Sequence, residues 1–241
     1  MANEGKEKWP VLAKLKRALV VSCQASEGEP LCSPEHIKAM ALSVIAGGAR
    51  GLRLEGEENI KAVKAKTALP IIGLSKRNDV PEAERLSSVY ITATFAEAKR
   101  LALAGADIIA IDATARPRPH GERLEDLIAA IHAELDLPVM ADISQLKEAQ
   151  NAEAIGADVI STTLFGYTKE TANFSEAGPA LDLLKEARNC LRVPLVLEGR
   201  VWHPEEVTAA FELGAHAVVV GSAITRPQLI TSRFIKAIPV R

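Results

Sequence analysis

The sequence predicts an eight-stranded parallel β/α barrel, on two alternating kinds of strand opening and on a polar residue after nearly every aliphatic run. One opening is Gly-Ala ahead of aliphatics: Gly48-Ala49-Arg50-Gly51-Leu52, Gly105-Ala106-Asp107-Ile108-Ile109, Gly156-Ala157-Asp158-Val159-Ile160 and Gly214-Ala215-His216-Ala217-Val218. Glycine takes the left-handed conformation that ends a helix, and the following residues enter a strand. The other opening sets proline among aliphatics: Leu69-Pro70-Ile71-Ile72, Leu137-Pro138-Val139-Met140 and Val193-Pro194-Leu195-Val196. Proline is tolerated at the first residue of a strand, where a missing N–H costs least.

The order along the chain turns these openings into a topology. A first strand, residues 18–22, is followed by Gly-Ala and proline openings in strict alternation, which makes eight. Helical patterns separate them, among them residues 33–47, 96–104, 124–135, 145–155 and 205–213. Strands alternating with helices imply right-handed crossovers and a parallel sheet. Eight units with none left over imply closure into a single (β/α)8 TIM barrel over residues 1–241, with a short leader of about 1–16. A barrel of this kind takes about 250 residues. A doubly wound open sheet would begin with a glycine-rich dinucleotide turn after the first strand. That position reads Ser22-Cys23-Gln24-Ala25, so the barrel is the better reading. Residues 88–91, a further aliphatic piece, read as a short insertion.

Composition narrows the function. Aromatic residues are 4% against 48% hydrophobic overall, so Ala, Val, Ile and Leu must build the core, as buried parallel strands require. A net charge of −2 supplies no basic field for a nucleic-acid backbone, and no aromatic-basic stretch offers a stacking surface. No segment is long enough to span a membrane. The aliphatic run at 18–21 is far shorter than a signal-peptide core. A cytoplasmic protein is expected, with no nucleic-acid or membrane partner. Cys23, Cys32 and Cys190 form no CxxC pair and are expected as reduced, buried thiols. Cys32 and His36 are placed to share a helix face, but no second ligand pair stands near, so no metal is expected.

Active sites of such barrels sit at the C-terminal strand ends. Here those ends read Gln24, Arg53, Lys76, Asp112, Asp142, Thr162 or Thr163, Glu198 and Gly221-Ser222. Charges converging on one barrel mouth are costly unless they serve a function. The last two units read as a phosphate cradle. Glu198-Gly199-Arg200 follows strand seven, and Gly221-Ser222-Ala223-Ile224 follows strand eight and opens a helix. Glycines let the backbone approach an anion, a helix N-terminus favours it, and Arg226 adds a charge-assisted contact. Gly199, Arg200, Gly221, Ser222 and Arg226 are therefore the expected phosphate ligands.

The chain resembles the N-acetylmannosamine-6-phosphate 2-epimerases of sialic-acid and amino-sugar breakdown. The likeness runs through Ser22-Cys23-Gln24-Ala25, Gly51-Leu52-Arg53, Gly73-Leu74-Ser75-Lys76, Asp112-Ala113-Thr114 and Arg116-Pro117-Arg118-Pro119. It continues in Met140-Ala141-Asp142-Ile143-Ser144, Gly166-Tyr167-Thr168, Glu198-Gly199-Arg200 and the segment from Val218 to Pro227. It implies proton removal and return at C2 of a phosphorylated N-acetyl amino sugar, with neither metal nor cofactor. Lys76 would be the base and Glu198 would handle protons, by opening the ring or orienting Lys76. Gln24 and Arg53 would bind the carbonyl and acetamido oxygens, and Asp142 a hydroxyl. The related pentose-phosphate epimerases use metal-binding histidines, and this chain has no such set.

Lesser features complete the expectations. Asp112 orients the mouth, Tyr167 lines the site as a lid residue, and residues 116–120 form a solvated or subunit-contact loop. His132 and His216 are structural. The terminal helix, residues 228–238, mixes Leu229, Ile230, Phe234 and Ile235 over its surfaces and suits a homodimer. Two other functions fit a lysine at a barrel strand end: a Schiff-base aldolase acting on a phosphorylated sugar acid, and a non-catalytic phosphosugar-binding barrel.

Overall fold

A computed structural model describes residues 8–77 and 79–239. Strands β1 (Ala18–Cys23), β2 (Gly51–Glu55), β3 (Ile71–Leu74) and β4 (Ile108–Asp112) run on into β5 (Val139–Asp142), β6 (Val159–Ser161), β7 (Leu195–Glu198) and β8 (Ala217–Val220). Each pairs in parallel with its successor, and β8 pairs with β1 from Ala18↔Ala217 to Val21↔Val220, closing the barrel. Outside it lie α2 (Pro34–Ala46), α3 (Glu57–Lys64), α4 (Phe95–Ala104), α5 (Leu124–Ala130), α6 (Leu146–Ala154), α7 (Leu181–Cys190) and α8 (Pro204–Glu212). None of the described helices is long and apolar enough to cross a membrane.

Both strand openings work as read. Gly48, Gly105, Gly156 and Gly214 all have φ between 90° and 104°, the left-handed region that ends a helix. Each proline carbonyl accepts from the preceding strand, as Pro70 O does from Leu52 N–H (2.9 Å) and Pro138 O from Ile109 N–H (3.0 Å). The two Gly-Ala-Asp sequences do more. Asp107 Oδ2 accepts from Ile71 N–H at 2.9 Å and Asp158 Oδ2 from Val139 N–H at 2.8 Å. Each aspartate thus satisfies the first N–H after the proline of the neighbouring strand.

Strand side chains alternate between two buried clusters. Val20, Ile72, Ile108, Met140, Val159, Val196 and Ala217 fill the barrel interior. Their chain neighbours Val21, Ile71, Ile109, Ala141, Ile160, Leu197 and Val218 pack outward among the helices. The N-terminal segment closes the floor. From α1 (Pro10–Lys14) and the residue after it, Leu12 and Leu15 join the interior cluster. Gly51 leaves room for them, since a Cβ there would stand 2.7 Å from Leu15 Cδ2. Trp9 Nε1–H donates to Asp158 Oδ1 at 2.5 Å, and the His216 ring lies 2.8 Å from Leu12 O.

Three local expectations change. Residues 88–91 are not a detached insertion: Lys76 and Ile91 form an antiparallel bridge, flanked by Arg77 N–H to Tyr90 O (2.9 Å) and Thr92 N–H to Ser75 O (2.8 Å). The helix expected at 124–135 widens into a π-type turn from Ile131 to Leu135. Only Cys23 is buried; Cys32 and Cys190 are exposed, and Cys32 precedes the Ser33 cap of α2 rather than lying on its face. At the C-terminus, α9 (Ser222–Thr225) is a single turn followed by α10 (Pro227–Lys236), where Phe234 is 73% exposed.

Helix-to-barrel packing is tight enough to test. A Cβ on Gly73 would meet Ala106 Cβ at 2.7 Å and Ile60 Cδ1 at 3.0 Å. Gly73→Ala is expected to cost about 1–3 kcal/mol, as overpacking does. Its thermal midpoint, read by circular dichroism, should fall by about 2–4 °C for each kcal/mol lost.

Candidate active site

Above the aliphatic layers, the inward positions turn polar. Ser22, Arg53, Asp112, Asp142 and Ser161 are buried and Glu198 partly so, each two residues beyond an inward aliphatic or glycine. Of these, Ser22, Arg53 and Glu198 line the floor of a cavity of about 780 Å³ at the C-terminal strand ends, within the range of about 300–1,000 Å³ usual for small-ligand sites.

The floor is built on one cation. The Arg53 side chain is 1% exposed and grips Asp142 with two hydrogen bonds, Nη1 to Oδ1 at 3.1 Å and Nη2 to Oδ2 at 2.5 Å. Glu198 Oε2 stands 3.0 Å from Arg53 Nη1. Burial opposes the guanidinium charge, but Asp142 and Glu198 outweigh it and hold Arg53 above its ordinary range. Asp142 takes a further hydrogen bond from Thr163 Oγ1 at 2.7 Å. Asp142 does not line the cavity, and both its oxygens are occupied. Asp142 thus holds Arg53 in place. Arg53 lines the cavity while it is engaged by both carboxylates.

Lys76 rises from the bridged segment after β3. Its Nζ donates to Gln24 Oε1 at 2.7 Å and lies 3.1 Å from Glu55 Oε2. Gln24 turns its oxygen to the lysine because its Nε2–H donates to Ser22 Oγ at 2.8 Å. Glu198 closes the far side, and Tyr167 lines the rim, 44% exposed.

The loops after β7 and β8 form the remaining wall, where Gly199, Gly221, Ser222 and Arg226 all line the cavity. A Cβ on Gly221 would stand 3.3 Å from Ser22 Cβ, so the glycine permits close packing of β8 on β1. Thr225 Oγ1–H donates to Ser22 O at 2.8 Å. Arg226 is ion-paired with Glu29 of the loop after β1. Arg200 lines the cavity while its guanidinium donates to Phe165 O (2.6 Å) and Gly178 O (3.2 Å). These bonds tie the loops after β6 and β7 together. Residues 116–120 are solvated only in part, at Pro117 and His120. Arg116 is buried against Asp112 Oδ2 at 2.6 Å and donates to the carbonyl oxygens of Arg85 and Tyr167, while Arg118 donates to Ala93 O. Asp112 is thus an anchor, with Thr114 Oγ1 as a second partner at 2.6 Å.

Comparison with known proteins agrees with this layout. The family described as "Putative N-acetylmannosamine-6-phosphate epimerase" matches residues 37–240. The chain belongs to the N-acetylmannosamine-6-phosphate epimerase family. Relatives named "Putative N-acetylmannosamine-6-phosphate 2-epimerase" are 46% identical in Enterobacter sp. (strain 638), over 95% of each chain, and 46% in Clostridioides difficile (strain 630), over 95% of this chain and all of the relative. The solved N-acetylmannosamine-6-phosphate 2-epimerase from Clostridium perfringens is 41% identical and superposes with a TM-score of 0.88, covering 99% of this chain and 100% of that one. Thiamine phosphate pyrophosphorylase from Pyrococcus furiosus, 16% identical with a TM-score of 0.58 over 89% of each chain, shares the fold alone.

In this member of the epimerase family, Glu55, Tyr90 and Glu29 are among the residues around the cavity that escaped the sequence reading. Glu55 ends β2 two residues past Arg53, and inward alternation along the strand would have found it. Tyr90 belongs to the piece read as an insertion. Glu29 pairs with Arg226 across 197 positions of sequence, with no local signal.

Glu198 titrates unusually. Burial, and then the neighbouring Asp142 charge, push its carboxyl up to about 7, against the opposing pull of Arg53 and Lys76. A carboxyl raised in the fold contributes stability in full below its ordinary value of 4.5, and that contribution is lost as pH rises through about 7. Thermal melts should therefore show Glu198→Gln gaining on the parent between about pH 5 and about pH 8. Parallel stability curves for the two proteins across that window would rule out the raised carboxyl.

Proposed function

We propose that this chain interconverts N-acetylmannosamine 6-phosphate and N-acetylglucosamine 6-phosphate by removing the C2 proton and returning it with inversion. One observation carries the reading. Lys76 follows β3 and Glu198 ends β7, strands four apart in a ring of eight, so a base and a proton carrier face one cavity from opposite walls. The glycine loops after β7 and β8 give that cavity an anion end.

The chemistry follows from the positions. In the ring form, a proton must leave the C1 hydroxyl and another must reach the ring oxygen before the chain opens. Glu198, titrating at about 7, holds or accepts a proton at neutral pH and serves that exchange. In the open chain, C2–H lies next to the C1 aldehyde. As the free amine, Lys76 takes that proton, and the C–H electron pair moves into the enolate. Gln24 and Glu55 hold the nitrogen in place, and Asp142 holds Arg53 beneath it. The backbone of Gly199, Gly221 and Ser222, with Arg226, tethers the phosphate, while Arg200 steadies the loop and Tyr167 covers the rim. Proton transfer of this kind needs neither a metal nor a nicotinamide. We further propose that residues 1–241 act as one cytoplasmic domain and that the exposed Phe234 and Ile235 of α10 meet a second copy in a homodimer.

Lys76→Ala is expected to lose about 10²–10⁴-fold or more in turnover while still binding substrate by calorimetry, since a positioned base contributes about that factor. Normal turnover would exclude Lys76 as the base. In D2O, the parent enzyme should wash deuterium into C2 of N-acetylglucosamine 6-phosphate. Carbon–carbon cleavage, with substrate trapped on Lys76 by borohydride, would point instead to the aldolase.

A further inference from the structure

The wall beside Lys76 carries a donor that the scheme above leaves unused. Tyr90 lies on the strand segment that Lys76 bridges, and its side chain lines the cavity. The Arg116 guanidinium sits 5.5 Å from the centre of its ring. Among the described residues, nothing hydrogen-bonds the Tyr90 hydroxyl.

The reaction needs such a donor. When the C2 proton leaves, charge develops on the adjacent carbonyl oxygen, and an enolate without a donor in a partly buried site is costly. Arg53 is committed to its carboxylates: Nη1 and Nη2 bind Asp142, Nη1 also faces Glu198, and Nε, though unpartnered, is closed off from solvent. The Gln24 amide is held at both ends, by Lys76 and Ser22. Thr163 donates to Asp142. Tyr167 and Arg85 also line the cavity but lie on its exposed rim. Tyr90 is partly buried and next to the base.

Resting on the epimerase reading, we propose that Tyr90 is a further catalytic residue, whose hydroxyl donates to the oxygen that becomes negative as the C2 proton passes to Lys76. In this step the C2–H bond breaks and Nζ gains the proton. The electron pair forms the C1–C2 double bond, and the carbonyl π pair moves onto oxygen. Tyr90 keeps its own proton throughout, and return of the C2 proton reverses the sequence. Burial first, then Asp112, Tyr167 and Asp142, hold the phenol above its ordinary range against the pull of Arg116, so the donated hydrogen is present at neutral pH.

Tyr90→Phe removes only the hydroxyl. With N-acetylmannosamine 6-phosphate as substrate, kcat should fall roughly 10²-fold or more, the loss typical of one removed oxyanion donor. KM, and substrate Kd by calorimetry, should stay within about threefold of the parent, because the contact forms in the transition state. Deuterium wash-in at C2 should fall by the same factor as kcat, and the thermal midpoint should be unchanged. A Tyr90→Phe enzyme with parental kcat, or with raised KM and parental kcat, overturns the role. If the parent exchanges deuterium and the variant exchanges as fast, only the Tyr90 assignment fails. A parent that exchanges none overturns the epimerase reading, and the role of Tyr90 with it.

Discussion

The site depends on a guanidinium buried inside a barrel. Arg53 is one cation facing two carboxylates, Asp142 and Glu198, in a place where water is scarce. Burying any of the three alone would cost several kcal/mol. Asp142 takes both good hydrogen bonds and neutralises Arg53. Glu198, whose Oε2 has only the charge contact with Arg53, takes up a proton near neutrality instead. Burial and surplus negative charge thus create the raised carboxyl. The cluster also joins β2, β5 and β7, strands that are not neighbours, so closure of the barrel and assembly of the site are one event.

Around that cluster, strand alternation does the positioning. Inward residues are aliphatic low in the barrel and polar above on six of the strands, which place Ser22, Arg53, Asp112, Asp142, Ser161 and Glu198 at the upper ends. Strands β3 and β8 stay aliphatic to Leu74 and Val219. The floor is sealed by Leu12 and Leu15, which keeps solvent to the upper mouth. The upper wall is completed outside the regular barrel, where the segment carrying Tyr90 and Ile91 pairs with the chain around Lys76. That pairing fixes Lys76 to a bridged backbone rather than to a free loop.

The anion end and the lysine end are in contact. Ser22 packs against Gly221 in the loop after β8 and accepts a hydrogen bond from Gln24, which in turn receives one from Lys76. Arg226 is steadied by Glu29 in the same β1 loop. The loop after β1 therefore couples the glycine loops to Lys76. In the proposed scheme, a six-carbon substrate tethered at the glycine loops meets Lys76 at a set distance, the geometric condition for efficient transfer.

The barrel was legible because its causes are local. Left-handed glycines end helices, prolines open strands, and aliphatic runs mark buried parallel strands, all within a few residues of each other. The site was legible in part for the same reason: Gln24, Lys76, Glu198 and Gly221 were found by reading one residue past each run. What a side chain binds there is a property of the closed barrel. Whether Arg53 and Asp142 meet substrate or each other depends on strands 89 residues apart, and no local pattern encodes that distance. Arg200 and Arg116 looked like free cations for the same reason, until the carbonyl oxygens that hold them came into view. The sequence by itself determined the strands, their order and the ring of polar ends. The tertiary structure decided which of those ends neutralise one another and which remain free to act, because pairing and burial exist only once the ring has closed.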